Sequence, residues 1–147
     1  RSEVAHAVRY VPDLQHESEI ASYYQAADIA VSLASSDGTP VSVQEVMACA
    51  TVTILGDIPA FHNWARHDQE TLLVPLHDAE ALSEAMVRLL RDKETSNRLA
   101  QNALTYVRAN ANRAAWMQRG EEIYAKVISD ARHQAVAGTA AKPKQRR

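Results

Sequence analysis

The stretch Asp28-Ile29-Ala30-Val31-Ser32-Leu33, Ala34-Ser35-Ser36-Asp37-Gly38-Thr39-Pro40, Val41-Ser42-Val43-Gln44-Glu45-Val46-Met47-Ala48-Cys49-Ala50 carries an apolar run, a small-residue loop and a helical pattern in direct succession. The run is largely apolar without strict alternation, which suits a short parallel strand covered on both faces. Val43, Val46 and Met47 recur at three- and four-residue steps and give the following segment one apolar helical face. A strand that turns through small residues into a helix is the unit from which open α/β sheets are built, and such sheets bind ligands at the carboxyl ends of their strands.

The same alternation extends to either side. Upstream, Ala7–Val11 reads as a strand closed by Pro12-Asp13, and Glu17–Ala27 as a helix with Ile20, Tyr23, Tyr24 and Ala27 on one face. Downstream, Thr51–Leu55 reads as a strand, Pro59 opens a short helix to about Ala65, and Thr71–Val74 is a last strand. Asp78 is a suitable N-cap for a helix ending at Arg91, with Glu80 and Glu84 near its positive end and Arg88 and Arg91 near the other. Further helices are expected over Glu94–Arg108 and Arg113–Ala131. The fold class is therefore α/β: a Rossmann-like parallel sheet layered by helices, with extra C-terminal helices. Four short strands are few for so many helices, and a domain whose first strands are missing accounts for the ratio.

The chain has 147 residues, 46% of them apolar, which is enough for one ordinary core. Residues 1–131 are expected to form that domain. Residues 132–147 hold five basic residues and no acid, and read as a disordered basic tail, with an anionic lipid or nucleic acid as the alternative occupant. The preceding body carries all eighteen acids against eleven basic residues, a net −7. No nucleic-acid partner is expected. No apolar run reaches membrane-spanning length and no leader pattern is found, so the expectation is a cytoplasmic protein, with a membrane-peripheral one as alternative. Arg1 and a first methionine at Met47 imply that sequence precedes this chain. The lone Cys49 lies in an apolar run and reads as a buried thiol. His62 and His67 are five residues apart, a poor fit to a helical metal pair, and no metal is expected.

The chemistry concentrates in the loop and the helix start. Pro40 suits the first helical position, which would leave the amides of Val41, Ser42 and Val43 unpaired. Together with the helix dipole, those amides favour a phosphate. Gly38 lets a ligand approach the backbone. Asp37 and Glu45 flank this unit, and a carboxylate can accept two hydrogen bonds from a vicinal diol. The residues alone equally allow Asp37 to be a helix cap and Glu45 a solvated helix residue.

The run Ser35-Ser36-Asp37-Gly38-Thr39-Pro40-Val41-Ser42-Val43-Gln44-Glu45-Val46-Met47-Ala48-Cys49 resembles the donor-site signature of the group 1 family of retaining GT-B glycosyltransferases, in which two acids are separated by seven residues. Tyr24–Ser32, Asp57–Ala60, Leu73–Pro75 and Asp78–Leu82 resemble family segments in the same order, so the likeness covers about residues 8–128. It implies transfer of a sugar from a UDP-, GDP- or ADP-sugar with retained configuration and without a required metal or other cofactor. Glu45 would take the ribose hydroxyls and Asp37, the catalytic candidate, the hydroxyls of the transferred sugar. Donor binding would involve Asp37, Gly38, Thr39, Pro40, Val41, Ser42, Val43 and Glu45, with backbone amides from Gly38 to Val43 on the diphosphate. The family's basic pair and its acceptor domain would lie upstream, making this chain alone inactive. The helix carrying Trp116, Ile123, Tyr124 and Val127 would pack towards that domain or recruit a second copy. A stand-alone sugar-nucleotide-binding module and a non-catalytic structural remnant are the alternatives. Three departures stand out. Ala50 and Thr71 occupy positions where the family usually has glycine, and His62-Asn63-Trp64 lacks the usual carboxylate. A positive φ at either glycine position would cost a non-glycine residue roughly 1–2 kcal/mol.

Overall fold

The structure, a computed structural model, describes residues 4–11 and 16–140, without the side chains of Glu17, Arg132 and 134–140. The chain divides after Asn110 into two compact units.

In the first unit, α1 (Glu17–Ala26), β1 (Ala30–Ser32), α2 (Val41–Ala48), β2 (Thr53–Gly56), α3 (Pro59–His62), β3 (Leu72–Val74), α4 (Ala79–Arg91) and α5 (Lys93–Asn110) follow one another. The three strands pair in parallel in the order β1-β2-β3. Ala30 is opposite Thr53, and Ile54 is opposite Leu72. The α/β class and the parallel sheet layered by helices thus stand as read from the sequence.

β2 is the middle strand, and all four of its residues are buried. Val52, Ile54, Leu72 and Val74 project, at every second position, into a core shared with Ala85 and Leu89 of α4 and Leu99 and Ala100 of α5. Met47 and Phe61 are fully buried, as are Val43 and Val46 to within a few per cent. Asp78 caps α4 as expected, its carboxylate accepting the Ala81 N–H at 2.9 Å. Thr53 and Thr71 are both buried polar residues. The Thr53 hydroxyl donates to Thr71 Oγ1 at 2.8 Å, and the Thr71 hydroxyl donates to the Thr53 carbonyl at 2.8 Å.

Several boundaries differ from the sequence reading. Ala7–Val11 is not a strand: Ala5–Ala7 form a short 3₁₀ turn, and the extended residues after it pair with no strand among the described residues. β-branched and aromatic residues favour a half-buried pleated surface, and Val8 and Tyr10, exposed at 72% and 86%, have none to lie on. The sheet therefore has three strands here rather than four. The short helix stops at His62 rather than Ala65, because the chain turns through Asn63 and Trp64.

The second unit contains α6 (Arg113–Ala140). The helix was expected to end at Ala131, with 132–147 as a tail. It continues to Ala140 instead, through an alanine-rich segment without proline. Residues 141–147 lie outside the described residues, as do Pro12 and Asp13. Trp116, Ile123, Tyr124 and Val127 are exposed. Among the described residues no helix is long and apolar enough to cross a membrane.

Candidate functional site

The loop from Leu33 to Pro40 leaves the carboxyl end of β1 and enters α2. A Cβ built on Gly56, the last residue of β2, would fall 3.6 Å from the Ala34 carbonyl oxygen and 2.6 Å from Leu76 Cδ2. The ends of all three strands therefore converge beside this loop, where an open parallel sheet presents its ligand crevice.

Asp37, Gly38 and Thr39 are exposed in the loop, and Pro40 is buried. Pro40 is the N-cap of α2, with φ −74° and ψ 75°, rather than its first helical residue. A proline fixes φ but leaves ψ free, and this ψ keeps it outside the helix. The donor set changes accordingly. The Val41 N–H is not open, because it donates to the Thr39 carbonyl at 2.8 Å, while Gln44 N–H makes the first helical bond, to the Pro40 carbonyl at 3.1 Å. The open donors of the first turn are the amides of Ser42 and Val43.

No side chain caps α2, so Asp37 does not have the capping role that the sequence left open. Among the described residues the carboxylate of neither Asp37 nor Glu45 has a hydrogen-bond or ion-pair partner. Glu45 lies four residues beyond Val41, on the same exposed face of α2, while Val43, Val46 and Met47 turn inward. It borders an open pocket of about 310 Å³ with Ile20, Ala21, Tyr24, Ala48 and Cys49. Burial, aided by the Glu45 charge, pushes the Cys49 thiol up from its ordinary range. The Tyr24 phenol is likewise pushed up by burial, with Glu45 and Cys49 adding to it.

α2 ends in a feature the sequence hinted at but could not show. Cys49 is the C-cap; Ala50 N–H donates to Met47 O at 3.1 Å and Thr51 N–H to Val46 O at 3.3 Å. This pair of bonds is a Schellman motif, in which the residue after the cap takes a left-handed conformation. Ala50 has φ 56°. Its fellow departure, Thr71, is not among the positive-φ residues, which in the described chain are Ala50, Asp68 and His77. The cost anticipated for a missing glycine therefore applies at Ala50 and not at Thr71.

His62 stands 2.6 Å from Asp57, Nε2 to Oδ1, on the segment that follows β2. The two are five residues apart across Pro59, a spacing that gave no sequence signal. Sequence reasoning also missed the buried amide nitrogen of Gln44, which has no acceptor. Among the described residues no group of three or more His, Cys, Asp or Glu side chains could hold a metal ion.

The sequence profile of the family described as Glycosyl transferases group 1 matches residues 2–105. Comparison with curated protein sequences gives no significant match. Among solved structures, the chain is similar to sucrose-phosphate synthase from Thermosynechococcus elongatus, with a TM-score of 0.81 and 28% identity over 86% of this chain and 32% of that one. It is also similar to the C-terminal domain of a glycosyl transferase group 1 family protein from Francisella tularensis, with a TM-score of 0.63 and 23% identity over 69% of this chain and 52% of that one. This second likeness speaks to the fold alone. The chain thus spans about a third of the first relative and about half of the second.

Proposed function

Because the chain belongs to the glycosyl transferases group 1 family, we propose that it is the donor-nucleotide half of a retaining, nucleotide-sugar-dependent glycosyltransferase whose acceptor side is supplied by a preceding domain. The diphosphate of a UDP-, GDP- or ADP-sugar rests on the α2 start, with the Ser42 and Val43 amides and the helix dipole opposing its charge. Gly38 and Thr39 form the loop wall that the diphosphate passes. Glu45 accepts the ribose hydroxyls, and Asp37 accepts hydroxyls of the transferred sugar, fixing the ring while the anomeric bond to the diphosphate breaks. The reading needs no metal, since helix dipole and basic groups of the preceding domain stabilise the leaving diphosphate.

The observation that carries this reading is a pair of carboxylates without protein partners, placed on either side of a helix start whose amides are open, at the carboxyl edge of a parallel sheet. Calorimetry with nucleoside diphosphates and with the intact sugar nucleotides tests it. The isolated chain is expected to bind UDP or GDP weakly and to turn over no donor. Glu45→Ala is expected to weaken the bare diphosphate more than Asp37→Ala does, whereas Asp37→Ala matters more for the intact sugar nucleotide. Equal and negligible effects of both substitutions would reject the assignment.

A further inference from the structure

The turn between α3 and β3, residues 63–70, lies at the amino end of the sheet, opposite the edge reached by the Asp37–Glu45 segment. α5 holds it through side chains spaced four residues apart. Arg98 Nη1 donates to Asp68 O at 2.9 Å, Asn102 Nδ2 to Gln69 O at 2.9 Å, and the Tyr106 hydroxyl to Asn63 O at 3.0 Å. Between turn and helix is an open cavity of about 380 Å³, walled by Arg66, Gln69, Glu70, Arg98, Asn102, Thr105 and Tyr106.

The charge in this cavity is fixed in place. The Glu70 side chain is 5% exposed, and its oxygens are occupied by Arg66, which gives it the backbone N–H at 2.9 Å, Nε–H at 3.2 Å and an Nη2 hydrogen. Arg66 Nη1 and the second Nη2 hydrogen have no acceptor among these bonds. Asp68, held at φ 57°, accepts from Arg88 at 2.9 Å and from Arg98 at 3.4 Å. Arg98 Nε and the Gln69 side-chain amide are likewise unspent. Two guanidinium groups of the lining, Arg66 and Arg98, therefore stand with one carboxylate, Glu70, which is buried with its acceptors taken. Guanidinium groups already immobilised by protein contacts lose little further freedom when they bind.

We propose that this cavity is a second ligand site, distinct from the donor crevice, and that it takes a small phosphate monoester. Unspent donors on Arg66, Arg98 and Gln69, all in the wall of one cavity, suit the three peripheral oxygens of a phosphate better than the two of a carboxylate. Asn102 Oδ1 and Thr105 Oγ1 remain as acceptors for hydroxyls on the organic part.

Site-resolved NMR titration of the full chain with inorganic phosphate, glycerol phosphate and glycerol tests this, with calorimetry for affinity. Saturable shifts at the Gln69 and Thr105 amides are expected with both phosphates, tighter for glycerol phosphate, and none with glycerol. Thr105→Glu places a negative charge on an exposed helical position and leaves folding intact. It is expected to weaken binding by about tenfold or more, as is Arg98→Gln. Asp37→Ala leaves these shifts unchanged. Absence of saturable shifts, or affinity unaltered in both Thr105→Glu and Arg98→Gln, overturns the proposal. Shifts confined to the Ser42 and Val43 amides overturn it too, since they place the anion at the other edge of the sheet.

Discussion

Replacing Ala50 with glycine should stabilise the protein. Ala50 sits at the left-handed position of the Schellman motif that closes α2, with φ 56°. A Cβ in that conformation costs roughly 1–2 kcal/mol through its contact with the following carbonyl. Glycine returns about 0.4–1 kcal/mol of this by its larger freedom in the unfolded chain. Ala50 is only partly buried, so removing its methyl forfeits about half of the roughly 0.8 kcal/mol of a fully buried carbon. The net gain is about 0.5 kcal/mol, or about 2 °C in Tm for a folded unit of this size. Thr71→Gly, at the other position where the family usually has glycine, should do the opposite. There φ is not positive, and the substitution removes a buried hydroxyl and leaves that of Thr53 without its acceptor. Together with the backbone cost of glycine in an extended segment, the loss is about 2–3 kcal/mol. Thermal and urea unfolding of the two variants against the parent measures both, with the urea slope checked for constancy. A fall or no change in Tm for Ala50→Gly, or a rise for Thr71→Gly, would refute the reasoning.

Arg66→Ala should destabilise the protein, because it strips a buried carboxylate of its charged partner while the backbone N–H remains. Burial pushes the Glu70 carboxyl up, but the Arg66 side-chain and backbone hydrogen bonds and charge together outweigh it and hold it below its usual value. A depressed folded value means that stability is present above the unfolded value and lost as pH falls through the folded one. Urea midpoints across acid pH should therefore fall later on acidification in the parent than in Arg66→Ala, and coincident profiles would count against the pair. Glu45→Gln removes a negative neighbour of Cys49, whose thiol is raised first by burial and then by that charge. More thiolate should form at a given pH, so modification by a disulfide reagent above neutral pH should speed up, and an unchanged rate would show that the carboxylate does not act on this thiol.

The segment from β1 through the small-residue loop into α2 was legible because its signals are local. A small-residue loop between an apolar run and a helical pattern reports its own geometry, and Asp78 capping α4 depends on residues only three apart. The same locality explains the errors. Ala7–Val11 has the residues of a strand, but a strand exists only if a neighbour accepts its backbone, and none does among the described residues. Pro40 lies one position before the helix that its fixed φ suggests, because proline leaves ψ to the packing that buries this residue. The consequence is specific, since the Val41 amide moves from the open donors to the Thr39 carbonyl.

Sequence by itself determined the α/β class, the order of elements and the two carboxylates flanking a helix start, since each follows from propensity, periodicity or spacing along the chain. Only the tertiary structure decided which amides stay open, that Ala50 and not Thr71 bears the backbone cost, and that Arg66, Arg98 and Gln69 line one cavity. Those outcomes depend on which distant segments meet. Thr53 meets Thr71 across two strands, and α5 reaches back some thirty residues or more to the turn before β3. No pattern confined to neighbouring residues encodes such a meeting.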